Sequence, residues 1–333
     1  MLDVHITVDT EVWPVVGGGW PRNPLDANYD CTRELSAYFV GRTREGDFGL
    51  PYQLETLRTH GLGATYFVDP LFSFALGLDP LADVVGSIEG AGQAVALHLH
   101  PEWLTDPRCV GLPAFRGPYL SQYGPDDQRL LIRAGMRRLV EAGARPLPVF
   151  RAGSWGADVS TLHALRDEGI LVDSSLNAAH ADSLSSLAPR SELHDPSFQH
   201  GVAEFPLTRF DDRISAFGRP LSPVGTSWAE MRFVLDACHA ARRRSVVLVL
   251  HSNEFVKTEM LWKGKQPTPR RLVVRRFEKL CRYLAGNRDR FRCVPLPAAA
   301  DCPVDNRAND AMPRSNLIRT GLRVLGQAAS RWY

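Results

Sequence analysis

Residues 94–103 of the chain read AVALHLHPEW, and the rest of the sequence is organised around this stretch. Its apolar start, AVAL, predicts a buried strand. His98 and His100 follow two positions apart, and side chains at i and i+2 of a strand point to the same face. Pro101 then ends the strand. Two imidazoles at one strand end supply half of a tetrahedral metal site; the alternative is a pair of polar residues satisfied by backbone.

Apolar strands alternate with amphipathic helices on both sides of this stretch. Strands are predicted at 2–9, 64–70, within 94–103, within 147–156, and at 170–177, 202–208, 245–255 and 291–296. Helices are predicted at about 51–60, 79–91, 124–143, 156–169, 228–243 and 269–287. This alternation is typical of parallel strands covered by helices. We therefore predict an α/β fold, a (β/α) barrel of seven or eight strands.

A doubly wound open sheet is the alternative architecture. Such a sheet normally has a glycine-rich phosphate loop, GxGxxG, between its first strand and first helix. Here the glycines 17–19 lack that spacing, and no helix is predicted directly after them. The barrel is therefore the preferred fold, and its functional residues are expected at the carboxyl ends of its strands.

Ionisable side chains follow five of the predicted strands at these carboxyl ends. They are Asp9 and Glu11, His98 and His100, Arg151, Asp173, and His251. A parallel barrel gathers them in one place. Carboxylate and imidazole ligands suit one divalent metal ion, which lowers the pKa of a bound water. A remaining carboxylate can accept a proton from that water, and a separate histidine can protonate a leaving group.

Composition excludes several other classes of protein. The chain has 333 residues, 44% hydrophobic and 23% charged, with a formal net charge of +2. These values are ordinary for a globular protein, and the net charge predicts no strong attraction to nucleic acid or to a membrane. The six cysteines show no CxxC motif, which favours a reducing compartment. No signal peptide or membrane-spanning run is predicted, so we expect a cytoplasmic protein.

The C-terminal part of the sequence differs from the rest. Residues 1–300 are predicted to form the barrel, and residues 301–333 a separate tail. Near the end of the tail, Leu and Ile residues alternate with Arg319 and Arg323. We expect a short basic amphipathic helix that packs on the barrel or frays. The alternative is weak contact with a membrane surface or with a partner helix.

The motifs at the strand ends resemble those of a known family. The sequence is similar to the NodB-homology polysaccharide deacetylases (carbohydrate esterase family 4) over about residues 5–255, in particular to a subgroup with TVDTE and HLHP motifs. The resemblance implies a distorted (β/α) barrel of seven or eight strands. It also implies metal-dependent removal of N- or O-acetyl groups from sugars.

Two motifs bear on the metal site. The first is usually TFDDG in the family, with a base Asp before a metal-binding Asp, and here residues 7–11 read TVDTE. Asp9 matches the base, and Glu11 is the substitute ligand because Thr10 stands at the metal position. Asp9 and Glu11 could also exchange roles, or both bind metal. The second motif, usually His-x-x-x-His, implies His98 and His100 as ligands; Glu102, at the family's second position, is the alternative to His100.

Three further motifs assign catalytic roles by resemblance. In FRAGSWG, residues 150–156, Arg151 is implied to pair with the base carboxylate, and Trp155 to form a wall for a sugar or to pack in the core. In VDSS, residues 172–175, Asp173 is implied to orient the catalytic histidine. In LVLH, residues 248–251, His251 is implied to be the general acid.

The resulting hypothesis is a metal-dependent carbohydrate deacetylase. Metal-activated water attacks the acetyl carbonyl, Asp9 takes its proton, and His251 protonates the leaving nitrogen. Zinc is the default ion for this ligand set, with cobalt, nickel and manganese as alternatives. The expected substrate is a carbohydrate, glycoconjugate or cytoplasmic glycan precursor. Two alternatives use the same barrel: a catalytically inactive carbohydrate-binding or assembly protein, and an amidohydrolase of small non-sugar amides.

Overall fold

The structure is a computed structural model, and it describes residues 1–12, 35–179, 194–258, 265–297 and 312–330, without the side chains of 328–330. The glycines 17–19 and the first eleven residues of the predicted tail, 301–311, lie outside the described residues. So do residues 180–193, between the predicted fifth and sixth strands.

The strands follow the predicted order along the chain. They are β1 (Leu2–Thr10), β2 (Arg42–Thr43), β3 (Gly46–Asp47), β4 (Ala64–Val68), β5 (Ala94–Leu99), β6 (Val149–Ala152), β7 (Val172–Asp173), β8 (Ser197–Gln199), β9 (Val202–Glu204), β10 (Arg209–Phe210), β11 (Arg219–Pro220), β12 (Ser245–His251) and β13 (Phe291–Cys293). The helices are α1 (Leu50–His60), α2 (Phe72–Leu76), α3 (Asp79–Gly90), α4 (Pro125–Glu141), α5 (Val159–Asp167), α6 (Trp228–Ala240), α7 (Arg271–Ala285) and α8 (Leu317–Ser330).

One curled sheet forms the centre of the molecule, in the order β12-β1-β4-β5-β6-β7-β9-β8. Adjacent strands of this sheet are parallel, except that β8 is antiparallel to β9. In addition, β13 pairs in parallel with the start of β1. The curl brings the chain after β9 back to β12. There the Thr208 amide donates to the Val247 carbonyl at 3.1 Å, and the Val249 amide donates to the Leu221 carbonyl at 3.2 Å. The predicted distorted (β/α) barrel is therefore confirmed.

Strands β7 and β9 are shorter than the sequence predicts, and side chains explain the difference. After Asp173, the amide of Leu176 donates to Oε1 of Glu204 at 3.0 Å instead of to a strand carbonyl. The Ser174 side chain donates to the carbonyl of Phe205 at 2.8 Å. Side-chain partners replace regular strand pairing at this edge, because they satisfy buried backbone groups equally well.

Alternation along each strand divides the apolar side chains into two clusters. The larger cluster lies between the sheet and its helices, and includes Val95 and Leu97 of β5. The smaller one fills the barrel interior, and includes Ala96 of β5, Val149 of β6 and Val249 of β12. Residues two positions after these interior residues share their face. That rule places the ionisable residues of β5, β6 and β12 at the carboxyl mouth of the barrel.

Candidate metal centre

The carboxyl ends of β1, β5, β6 and β12 bring the predicted site residues together. Parallel pairing sets Asp9 beside His251 and His98 beside Arg151 in register. Glu11 and His100 follow directly after the ends of β1 and β5. The i and i+2 prediction for the two histidines is confirmed, because their ring centroids lie 4.8 Å apart.

Glu11, His98 and His100 form a buried group of three possible metal ligands. One oxygen, Oε2 of Glu11, lies 3.1 Å from Nε2 of His98 and 2.5 Å from Nε2 of His100. The three ligand atoms all lie within 4.8 Å of one another. One carboxylate and two imidazoles leave a fourth tetrahedral position open, which is the arrangement of catalytic zinc sites. The donor set therefore fits a divalent ion.

The second nitrogens of both imidazoles have acceptors that fix the ring orientation. Nδ1 of His98 lies 2.8 Å from the carbonyl of Arg151, and Nδ1 of His100 lies 3.2 Å from Oε2 of Glu102. A carbonyl only accepts, so Nδ1 of His98 carries the hydrogen and Nε2 faces Glu11. Histidines that bind metals are usually held in this way. Glu102 thus lies behind His100, on the side away from Glu11.

Opposite charges shift the pKa values of this group in opposite directions. Burial by itself raises the pKa of Glu11, but the charge of His100 and the hydrogen bonds from His100 and His98 together outweigh it and bring that pKa well below its usual range. Burial by itself lowers the pKa of His100, and the carboxylates of Glu11 and Glu102 raise it well above its usual range. Glu11 and His100 therefore neutralise each other as an ion pair.

Asp9 lies beside the three ligands but has a different partner. Its Oδ1 accepts a hydrogen bond of 2.6 Å from Nη1 of Arg151, and both side chains are buried. Arg151 also donates to the backbone and side-chain oxygens of Ser174. The guanidinium lies 4.1 Å from the ring centroid of Phe67 and 5.4 Å from that of Trp155. Asp9 is therefore held in one position by an arginine that has little freedom of its own.

His251 completes the mouth of the barrel opposite the other two histidines. Its Nε2 lies 3.9 Å from Oδ2 of Asp9 and 3.8 Å from Oε1 of Glu11, and the side chain is 33% exposed. Its Nδ1 lies 3.0 Å from Oε1 of Glu254, whose Oε2 accepts from the His251 amide. Burial lowers the pKa of His251, but the Glu254 carboxylate outweighs it and the pKa rises to about 10.

Asp173 does not make the contact that the resemblance implies. The carboxylate on Nδ1 of His251 is Glu254, whereas Asp173 accepts from the Ser175 hydroxyl at 2.6 Å and interacts with Glu204. Burial raises the pKa values of Asp173 and Glu204, that of Glu204 to well above its usual range. Asp173 pairs in register with Glu204 of β9, and its role in orienting the catalytic histidine stays a prediction.

Three consecutive residues after β6 shape the site through the backbone. A Cβ on Gly153 would lie 2.4 Å from the carbonyl oxygen of Leu99 and 2.9 Å from the ring of His100. Ser154 and Trp155 then adopt left-handed conformations, with φ of 50° and 60°. Such angles are strained for residues other than glycine and cluster at functional sites. They turn the half-buried Trp155 over Arg151.

The residue-based predictions missed three contributors to the site. Glu254 follows His251 by three positions, and Gly153 lies inside the FRAGSWG motif. Asp69 follows β4, as the other site residues follow their strands, and burial raises its pKa to about 7 against the opposing effect of the His100 charge. Its position directly after a predicted strand was the signal that could have identified it.

Comparisons with known proteins agree with this architecture. A protein from Mycobacterium smegmatis assigned to the polysaccharide deacetylases is 21% identical, with 88% of this chain and 87% of that chain covered at a TM-score of 0.50. A family 4 carbohydrate esterase from Streptomyces lividans, in complex with acetate, is 14% identical over 90% and 94% of the two chains, at a TM-score of 0.42.

No protein-family model matches the sequence. A search of curated proteins gives no match either. The solved structures therefore show the fold: the chain has the fold of polysaccharide deacetylases, as the motif resemblance implies. The subgroup with TVDTE and HLHP motifs stays a prediction.

Proposed function

We propose that the protein is a metal-dependent deacetylase that hydrolyses an N-acetyl or O-acetyl group on a carbohydrate or glycan precursor. The observation that carries the proposal is one buried arrangement: the Glu11, His98 and His100 group lies beside the Asp9–Arg151 pair and His251. Metal-dependent amide hydrolysis requires ligands for the ion, a carboxylate that accepts a proton and a histidine that donates one. The three ligands, Asp9 and His251 provide these groups. The polysaccharide deacetylase fold supports the same reaction class.

Glu11, His98 and His100 are the residues that would hold the ion. A divalent ion at this position supplies Lewis acidity and lowers the pKa of a water molecule. Zinc is the default for one carboxylate and two imidazoles, and cobalt, nickel and manganese are the alternatives. Glu102 orients His100 from behind, since it contacts Nδ1 and not Nε2.

Asp9 and His251 have separate proton-transfer roles in this proposal. Arg151 holds Oδ1 of Asp9, and Oδ2 lies on the side of His251 and accepts the proton of the attacking water. His251 donates its Nε2 proton to the leaving nitrogen or oxygen when the bond to the acetyl carbon breaks. Glu254 keeps Nδ1 of His251 occupied, so that Nε2 is the nitrogen that exchanges a proton.

Trp155 is the proposed contact for the sugar ring. Its ring is half-buried and lies against Arg151 at the mouth of the barrel. Aromatic rings provide flat apolar surfaces on which sugar rings can pack. The proposed substrate is a glycan precursor in the cytoplasm. This part of the proposal follows from the sequence, in which no signal peptide is predicted.

The test combines metal content with released acetate. Wild-type protein is compared with His98→Ala and with His163→Ala, a matched control on the exposed face of α5. We expect about one divalent ion per chain in the wild type and the control, and a loss in His98→Ala. Added metal should also raise the melting temperature of the wild type and of His163→Ala. A ligand at 100 times its Kd stabilises the folded state by about 2.7 kcal/mol.

Acetate release then separates the candidate functions. Acetate from N-acetylated oligosaccharides or sugar nucleotides, abolished by a chelator and restored by metal, is the expected result. Metal binding with hydrolysis only of small non-sugar amides would favour the amidohydrolase. A protein that binds no metal, even after addition of zinc, cobalt or nickel, would contradict the proposed reaction and leave the carbohydrate-binding role.

A further inference from the structure

The C-terminal helix α8 has its polar side buried and its apolar side exposed. Its buried residues include Thr320 and Arg323, which are 3% and 2% exposed. Its exposed residues form one apolar surface, here called the outer face of α8, and their exposed fractions are: Leu317 63%, Ile318 73%, Leu322 61%, Val324 46% and Leu325 68%. A helix on a globular protein usually packs the other way, with its apolar side inward.

Ion pairs fix α8 in this orientation. Nη2 of Arg323 lies 2.7 Å from Oδ2 of Asp212, and Nε lies 3.1 Å from Oε1 of Glu230 on α6. The Thr320 hydroxyl donates to the carbonyl of Asp212 at 2.8 Å. Turning the helix over would move the buried Arg323 away from both of these buried carboxylates, and breaking a buried ion pair is strongly unfavourable. The outer face is therefore a stable feature of the folded chain.

We propose that the outer face of α8 docks the protein on a membrane surface that contains anionic lipids. Side chains of Leu, Ile and Val at these positions carry no hydrogen-bonding groups, so lipid tails can cover them without leaving polar atoms unpaired. No acidic residue occurs in Leu317–Ser330. Among the described residues, no helix has both the length and the apolar content to cross a bilayer, so this contact would lie in the interface.

Positive charge around the outer face matches an anionic surface. The loop between β10 and β11 packs against the start of α8, since the Ser315 amide donates to the carbonyl of Asp211. Three arginines border this region: Arg213 and Arg314 are exposed, and Arg319 is half-buried. Asp211, which pairs with Arg314, is the partly exposed carboxylate of the loop, so positive charge is in excess.

Two neighbouring features also fit a lipid headgroup region. The same loop exposes Ile214 and Phe217, at 58% and 44%. A groove of about 670 Å³ along α6 is lined by Trp228, Phe233 and Arg319 among others. Aromatic and arginine side chains are favoured at the level of the headgroups.

A second copy of the chain is a poorer occupant for the same face. A stable dimer buries about 800 Å² on each partner. Five side chains on one helix of 14 residues supply only part of such an area. Binding to a membrane surface requires no such minimum area, because the affinity increases steadily with the apolar area that is buried and with the positive charge of the protein.

The test is flotation of the full chain with vesicles of phosphatidylcholine that contain phosphatidylglycerol. The variant Ile318→Ser/Leu322→Ser/Leu325→Ser should bind at least about tenfold more weakly, since three apolar side chains are lost from the contact. The matched control is Val110→Ser/Val140→Ser/Phe198→Ser. These three apolar residues lie outside the outer face of α8, and their exposed fractions are 81%, 57% and 55%. The control should bind like the wild type. All substituted positions are exposed, and melting temperatures verify that each variant is folded.

Two comparisons decide the outcome. Binding should be weaker on pure phosphatidylcholine and at high salt; equal binding to neutral and anionic vesicles would overturn the anionic-lipid proposal. Sedimentation velocity of the protein alone should show a monomer. A dimer that the α8 variant abolishes, together with no vesicle binding, would overturn the proposal in favour of a second copy. This readout is independent of deacetylase activity.

Discussion

Oδ1 of Asp9 lies 2.6 Å from Nη1 of Arg151, although the two residues are 142 positions apart in the sequence. Both side chains are almost completely buried. A buried charge is strongly unfavourable without a partner of opposite sign. Asp9 and Arg151 compensate each other's charge inside the barrel. The pair therefore serves the stability of the fold as well as the position of the proposed base.

Replacing Arg151 should affect stability and activity together. Arg151→Met leaves Asp9 buried without a partner, and we expect the free energy of unfolding to fall by about 3–5 kcal/mol. Urea denaturation measures the change. The control is Arg133→Met, which removes a half-exposed pair with Glu168 and should cost less than about 1 kcal/mol. Equal costs for the two variants would contradict the role of the buried pair.

Glu254→Gln tests how His251 is positioned. The amide keeps the shape of the carboxylate but not its charge, so kcat should fall by roughly ten- to hundredfold while KM and metal content stay near wild type. Glu278→Gln is a suitable control, because Glu278 bonds to Tyr52 outside the site. Unchanged kcat in Glu254→Gln would show that Glu254 has no part in the reaction.

Gly153→Ala tests how closely the loop after β6 approaches His100. The added Cβ would overlap the Leu99 carbonyl and the His100 ring, so we expect metal affinity to fall by roughly tenfold or more. Titration calorimetry with zinc measures the affinity. Gly86→Ala in α3 meets no atom within 4 Å and should instead raise stability by up to about 1 kcal/mol, as alanine favours helix. Wild-type affinity in Gly153→Ala would contradict the packing described.

Arg323→Leu tests the anchoring of α8. It leaves Asp212 and Glu230 without this partner, and the free energy of unfolding should fall by about 3 kcal/mol. Limited proteolysis should also cleave near α8 faster than in the wild type. Arg314→Leu, which removes an exposed pair with Asp211, is the control and should change stability by less than about 1 kcal/mol. If Arg323→Leu is as stable as this control, α8 is held by other contacts.

The buried carboxylate of Asp212 also predicts a dependence of stability on acid. Burial raises the pKa of Asp212, but hydrogen bonds from Arg219 and Ser215 outweigh it and hold the pKa below its ordinary value. A lowered pKa means that the stabilisation is complete above the unfolded value of about 3.9 and is lost as the pH falls through the folded value. Asp212→Asn should therefore be less stable than the wild type at neutral pH, with a gap that narrows below about pH 4 in urea denaturation.

The sequence predicts the part of the site that follows from strand periodicity. His98 and His100 share a face because residues two apart on a strand do so, and the same rule places Asp9 and Glu11 at the mouth of the barrel. Parallel pairing then brings strand ends together without any knowledge of side chains. These are local rules, and they apply to the strands that the apolar pattern identifies.

Other features depend on contacts that no local pattern contains. Glu254 reaches His251 through the turn after β12, and Gly153 is needed because β5 passes beside it. The orientation of α8 is opposite to what its apolar residues predict, since the buried carboxylates of Asp212 and Glu230 select its arginine side. In the structure, α8 contacts the rest of the chain through its polar face.

The central place of β1 also bears on how the chain folds during synthesis. β1 is made before the other strands of the sheet, yet it pairs with β12 and β13, which are the last two of the described strands along the chain. At roughly 5–20 residues per second, a ribosome needs on the order of 12–50 s to add the approximately 240 residues between Asp9 and His251. Over that interval β1 is an apolar strand without one of its neighbours, which is the kind of segment that chaperones protect. The group of side chains at the mouth of the barrel thus assembles only after β12 has been made.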